Sequence, residues 1–130
     1  MAYNNAVTNS AGQLSAITTT IAYTNTSAVT IGTLPANAQI IDINIDVTTA
    51  FNAATTNTVT VGKTGSAAAY VTSTSVGSTG RASVATTGVY SAWADVGNSD
   101  VDYATVTFSQ TGTAATAGAA RVTIVYKAFS

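Results

Sequence analysis

Residues 38–51 read Ala-Gln-Ile-Ile-Asp-Ile-Asn-Ile-Asp-Val-Thr-Thr-Ala-Phe, and this stretch decides the fold class. Ile41, Ile43, Ile45 and Val47 occupy every second position, with Asp42, Asn44, Asp46 and Thr48 between them. Side chains alternate across a strand, so the pattern gives one apolar and one polar face, whereas a helix would scatter the four apolar residues around its circumference. β-Branching at all four adds to the case for a strand. The stretch predicts a long, half-buried antiparallel strand whose core row runs from Ile41 to Val47. Just ahead of it, Leu34-Pro35-Ala36-Asn37 holds the chain's only proline, where a strand is entered from a turn and a missing N–H does least harm.

Working outward, Ile17, Thr19, Ile21 and Tyr23 alternate, Asn25-Thr26-Ser27 reads as a turn, and Val29, Ile31 and Thr33 continue as a second strand. That is the grammar of a hairpin. Downstream, Thr58-Val59-Thr60-Val61 predicts a strand closed by Gly62, and Ala68 to Val71 a short one. Thr72 to Gly88, rich in Ser, Thr and Gly, predicts a long surface loop with a short strand around Ala82 to Ala85. Val101 to Phe108 predicts a strand with a bulge, because Val101 and Tyr103 are out of phase with Val106 and Phe108. Arg121 to Phe129 closes the chain, with Val122, Ile124 and Tyr126 on one face. About eight short strands with turns between them predict an all-β antiparallel sandwich of jelly-roll topology. Residues 14–130 are expected to form this one domain, preceded by an N-terminal arm, residues 1–13, that shows no sustained period.

Composition narrows the chemistry. The 130 residues include no Cys, His or Glu, which removes disulfides, cysteine zinc sites, the usual general base and the Ser-His triads. Enzymatic chemistry would rest on five Asp, four Lys or Arg and hydroxyls; no catalytic residue and no cofactor are expected. Charged residues make up 7% of the chain and the net charge is -1, so the electrostatic footprint of a nucleic-acid or anionic-membrane binder is missing. No window reaches the length of a membrane span and no secretory leader opens the chain, which predicts a soluble, unprocessed product made inside the cell. Mean hydropathy is nevertheless positive. A surface with so little charge has little to keep copies apart, and much of it is expected to be covered by neighbouring protein.

Gly62-Lys63-Thr64 resembles the end of a phosphate-binding loop, but Asn57 stands where that motif needs glycine and no helix follows. Asp42 and Asp46 share a face at roughly 13 Å along a strand, too far apart for a glycosidase pair, while Asp100 and Asp102 at about 7 Å overlap the inverting range. Asp95, Asn98, Asp100 and Asp102 are the one cluster of hard oxygen ligands and the candidate metal site, for calcium, though without the glycine and distal glutamate of an EF-hand. Asn25-Thr26-Ser27 is a formal glycosylation sequon. Tyr90, Trp93, Tyr103, Tyr126 and Phe129 are expected in the core, since a sandwich poor in large apolar residues needs its rings inside. If exposed on one face, they would instead suit a carbohydrate-binding or adhesin module.

The runs Leu34-Pro35-Ala36-Asn37-Ala38-Gln39-Ile40-Ile41, Asp46-Val47-Thr48-Thr49-Ala50-Phe51-Asn52 and Val59-Thr60-Val61-Gly62, with Ala115 to Val122 and Tyr126, resemble small β-sandwich virion structural proteins of tailed bacteriophages. The resemblance covers much of residues 31–127. It implies a capsid decoration, or cement, protein that binds the major capsid protein on the outside of the virion. Homotrimers are expected, and neither nucleic acid nor membrane is an expected partner. The arm, with Met1, Ala2, Tyr3, Asn4 and Asn5 foremost, is the expected strap onto the shell. A head-fibre, tail or baseplate component is the alternative within the virion.

Overall fold

The alternation in residues 38–49 does what a period of two must do, and the eight strands are arranged so that every such apolar row meets another. The computed structural model describes residues 14–35, 38–83 and 102–128. The strands are β1 (Leu14–Ala22), β2 (Val29–Leu34), β3 (Ala38–Thr49), β4 (Thr56–Lys63), β5 (Ser66–Ser75), β6 (Gly80–Ser83), β7 (Asp102–Thr111) and β8 (Ala119–Ala128). One antiparallel sheet has the order β1-β8-β3-β6 and the other β2-β7-β4-β5. Strand 1 thus pairs with 8, 2 with 7, 3 with 6 and 4 with 5. A long ribbon folded over on itself gives that order, which is the jelly roll expected from the sequence.

The core lies between the sheets. Ile43, Ile45 and Val47 of β3, with Val122 and Ile124 of β8 beside them in the same sheet, face Val59 and Val61 of β4 and Val106 and Phe108 of β7 across this layer, all buried. The core row of β3 holds at Ile43, Ile45 and Val47 but not at Ile41. Ile40 is buried and Ile41 only half-buried, because the pairing with β8 slips by one residue between Ile40 and Asp42. This bulge moves Ile41 out of the row and re-aims the start of the strand, so Ala38 and Ile40 share the core with Ile43, two phases joined by one extra residue.

The hairpin expected over residues 17–33 does not form. β1 hydrogen-bonds to β8 and β2 to β7, and the two strands meet face to face across the core. Gly32 marks that contact, since a Cβ there would lie 3.0 Å from Ile17. Asn25 makes the corner between layers: its Oδ1 accepts from the Ala22 N–H, and its own N–H donates to the Ala22 carbonyl.

Two further expectations change. The short strand at Ala68 to Val71 is a ten-residue strand, β5, and it absorbs Thr72 to Ser75 from the supposed loop. Pairing with β4 supplies the backbone partners that its Ala- and Ser-rich sequence does not advertise. The short strand placed at Ala82 to Ala85 is β6, Gly80–Ser83. The bulge expected in β7 lies in β2 instead, between Thr30 and Gly32. In β7 the pairing runs without a slip, with Ala104, Val106 and Phe108 inward and Tyr103 56% exposed. Tyr103 is out of phase simply because it faces out.

Candidate functional site

Strand direction sorts the loops into two ends. Residues 23–28, 50–55, 76–79 and 112–118 gather at one end, and they are tied to one another. The Tyr23 N–H donates to the Gly118 carbonyl, Phe51 to Val76, and Ala54 to Thr113. Asn52 Oδ1 accepts from the N–H groups of Thr116 and Ala117 at 2.8 and 3.0 Å, while its Nδ2 donates to Thr116. Beneath them Phe51 is 1% exposed and packs on Phe108 at 4.6 Å between ring centroids. Gly118 is required here, because a Cβ would lie 2.5 Å from the Phe51 ring. This end is a structural closure in which the amides are occupied by one another.

The outward faces of the sheets are the remaining surfaces. Across β2, β7 and β4 the outward residues are Thr30, Thr33, Tyr103, Thr105, Thr107, Ser109, Thr58 and Thr60, none of them charged. Thr105 is buried, and Thr107 Oγ1 is buried without a hydrogen-bond partner. The outward face of β1-β8-β3-β6 differs. Registers place Thr20, Arg121, Asp46 and Arg81 in one cross-strand row and Thr18, Thr123, Asn44 and Ser83 in the next. Arg121 Nη2 lies 3.6 Å from Asp46 Oδ2. Asp42, displaced by the bulge, accepts both contacts of the Ser83 hydroxyl at 2.7 and 2.8 Å and the Ile43 N–H at 2.8 Å. Asn44 Nδ2 also donates to it. The two aspartates are therefore separate structural acceptors rather than a reacting pair.

Of the residues singled out in the sequence, Asp95, Asn98 and Asp100 lie outside the described residues, as does the side chain of Asp102, whose backbone opens β7. Met1, Ala2, Tyr3, Asn4 and Asn5 also lie outside them, with Tyr90, Trp93 and Phe129. Among the described residues no three acidic, His or Cys side chains gather as a metal-binding group. The aromatic expectation is corrected at Tyr103, which is exposed, while Tyr126 packs against the core at its margin. Among the described residues Phe51, Tyr70 and Phe108 are the buried rings. Lys63 ends β4 opposite Ala104 and precedes a tight turn, Thr64-Gly65, into β5, so the glycine-lysine-threonine string closes a hairpin. Arg81 and Arg121 belong to no sequence motif. Their one signal is scarcity, two of only four cations in the chain.

The fold has counterparts among solved structures. A chain of the cyanophage Pam1 capsid asymmetric unit superimposes with a TM-score of 0.67 at 22% identity, covering 98% of this chain and 94% of that one. A chain of the acid-stable capsid of Helicobacter pylori bacteriophage KHP30 gives a TM-score of 0.66 at 13% identity, over 92% and 91%. A chain of the Ralstonia phage GP4 capsid gives 0.57 at 14%, over 98% and 92%. At these identities the likeness is one of fold. No family model and no curated protein sequence matches the chain.

Proposed function

We propose that this chain is a structural protein of a tailed-bacteriophage virion, and within it a capsid decoration protein on the outer surface of the shell. The observation that carries the reading is end-to-end likeness to three chains of phage capsids, each covered over at least 91% of its length. The likeness is thus to whole small components, not to a module within a larger subunit. The surface fits the same role. Across β2, β7 and β4 one face carries uncharged residues, chiefly hydroxyls with Tyr103, and the opposite sheet carries a few fixed charges, which suits broad contact with neighbouring protein.

In this reading homotrimers bridge joints between major capsid subunits, so that several weak contacts per trimer add through multivalency. The arm, led by Met1, Ala2, Tyr3, Asn4 and Asn5, straps each copy to the shell. A density map of purified particles tests the placement. Copies spread over the whole shell support decoration, whereas a few copies at one vertex or along the tail replace it with the head-fibre, tail or baseplate reading. Glycan binding that is lost in Tyr103→Ala would replace it with a carbohydrate-binding module. Deleting residues 1–9 should lower occupancy on particles, and unchanged occupancy would remove the strap.

A further inference from the structure

We infer that the outward face of the β1-β8-β3-β6 sheet is a docking surface for an acidic segment of another protein, whose carboxylate is gripped by Arg81 and Arg121 on either side of Asp46. The row is built by register: Asp46 pairs with Arg121 on one side and with Arg81 on the other. Neighbouring strands lie about 4.8 Å apart, so the two arginine backbones stand roughly 10 Å from each other. Arg121 has Asp46 as its counter-ion. The Arg81 side chain is exposed and makes no hydrogen bond or ion pair with the described residues. Two guanidiniums thus flank one carboxylate that pairs with Arg121 alone, and a second carboxylate would complete the row with the fork geometry that arginine offers.

The shape and surroundings agree with that occupant. Both arginines, Asp46, Asn44, Thr18 and Thr123 line a shallow depression of about 420 Å³, which offers hydroxyl and amide groups to the polypeptide bearing the acid. Two outward rows further along β1 and β8 lie Ala16 and Val125, then Leu14, 61% exposed, beside Lys127. A segment with an acidic and an apolar residue would meet a cation at one end of the face and apolar surface at the other. A second copy of this chain is a poor occupant. It has no Glu and only five Asp, and of these Asp42 and Asp46 are held on this same face. A nucleic acid is also disfavoured, because three cations, Arg81, Arg121 and Lys127, one of them paired with Asp46, on a chain of net charge -1 are not a phosphate-tracking surface. The naming of a shell subunit as the partner rests on the decoration reading; the grip itself rests on the charge row.

The test uses the full chain with an acetylated peptide of alternating Glu and Leu, the matched Gln-Leu peptide, and purified shells stripped of this protein. In NMR titrations the Nε–H signals of Arg81 and Arg121 should move together with the acidic peptide and not with the neutral one. Arg81→Gln should weaken acidic-peptide binding about tenfold, and Asp46→Asn, which removes the competing carboxylate, should tighten it severalfold. A purely structural row would give no gain in Asp46→Asn. Unmoved arginine signals at millimolar peptide, equal response to both peptides, or unchanged binding in Arg81→Gln overturns the grip. On shells, Arg81→Gln coating as fully as wild type overturns this face as the docking surface while leaving decoration standing. Wild-type protein that takes the peptide through both arginines but leaves shells bare overturns decoration and keeps the grip. Unfolding curves of each variant, matched to wild type, exclude loss of fold as the cause.

Discussion

The two sheets share one core and one construction rule, yet their outward faces are chemically unlike. On β2, β7 and β4 every outward residue named above is a threonine, a serine or Tyr103, and one hydroxyl, on Thr107, is buried without a partner. On β1, β8, β3 and β6 the same outward positions carry Arg121, Asp46, Arg81 and the fully bonded Asp42. Burial alone cannot account for the difference, since both sheets need only an apolar inner row. The charges concentrate where three strands bring residues far apart in sequence into one row. That gives the molecule a polarity across its thickness, with one face able to select a partner by charge and the other only by shape and hydroxyl contact.

Four substitutions probe this contrast. The largest effect should erase it altogether: Phe51→Ala removes the ring that joins β7 to the loops closing one end, and should cost about 3–5 kcal/mol in urea unfolding. A loss below 1 kcal/mol would mean the closure contributes little to holding the sheets together. Next, Asp42→Ala should cost about 2 kcal/mol, because the Ser83 hydroxyl and the Ile43 and Asn44 donors lose a charged acceptor. An unchanged denaturation midpoint would mean the charged face is no better tied than the hydroxyl face.

Thr107→Val tests the opposite face. It replaces a buried, unpartnered hydroxyl with a methyl group of the same shape, and should stabilise the protein by up to about 1 kcal/mol; clear destabilisation would show that this hydroxyl has a partner. The smallest effect is expected for Arg121→Gln, whose ion pair with Asp46 is exposed and should be worth under about 1 kcal/mol, fading as salt is raised. If it proved as costly as Asp42→Ala and indifferent to salt, the row would be a structural brace rather than a surface poised for a partner.

Much of the fold was legible because β3 and β8 write their alternation plainly. Ile43, Ile45 and Val47, with Val122 and Ile124, are in the core as their spacing requires. Less legible were the elements whose residues are indifferent. β5 is a ten-residue strand of mostly Ala, Ser and Thr, and its state comes from the β4 edge it completes rather than from any preference of its own. Phe51 closes the stretch that reads as a strand, but β3 ends at Thr49, and the closure of four loops over the ring makes it a core residue. The candidate surface was hardest to see. Arg81, Asp46 and Arg121 have no motif among them, and nothing local in the sequence says that they stand side by side.

Local periodicity and composition are enough to set the all-β class, most of the apolar rows that must be buried and the absence of histidine, cysteine and glutamate chemistry. That β1 pairs with β8 instead of β2, that a bulge at Ile41 shifts the start of the core row, and that two arginines flank one aspartate emerge from the folded sheets. Pairing and register are set by how distant strands bury their rows against one another, and a single-residue slip exchanges the inner and outer faces. Which side chains meet on the outside is fixed only when that contest is resolved.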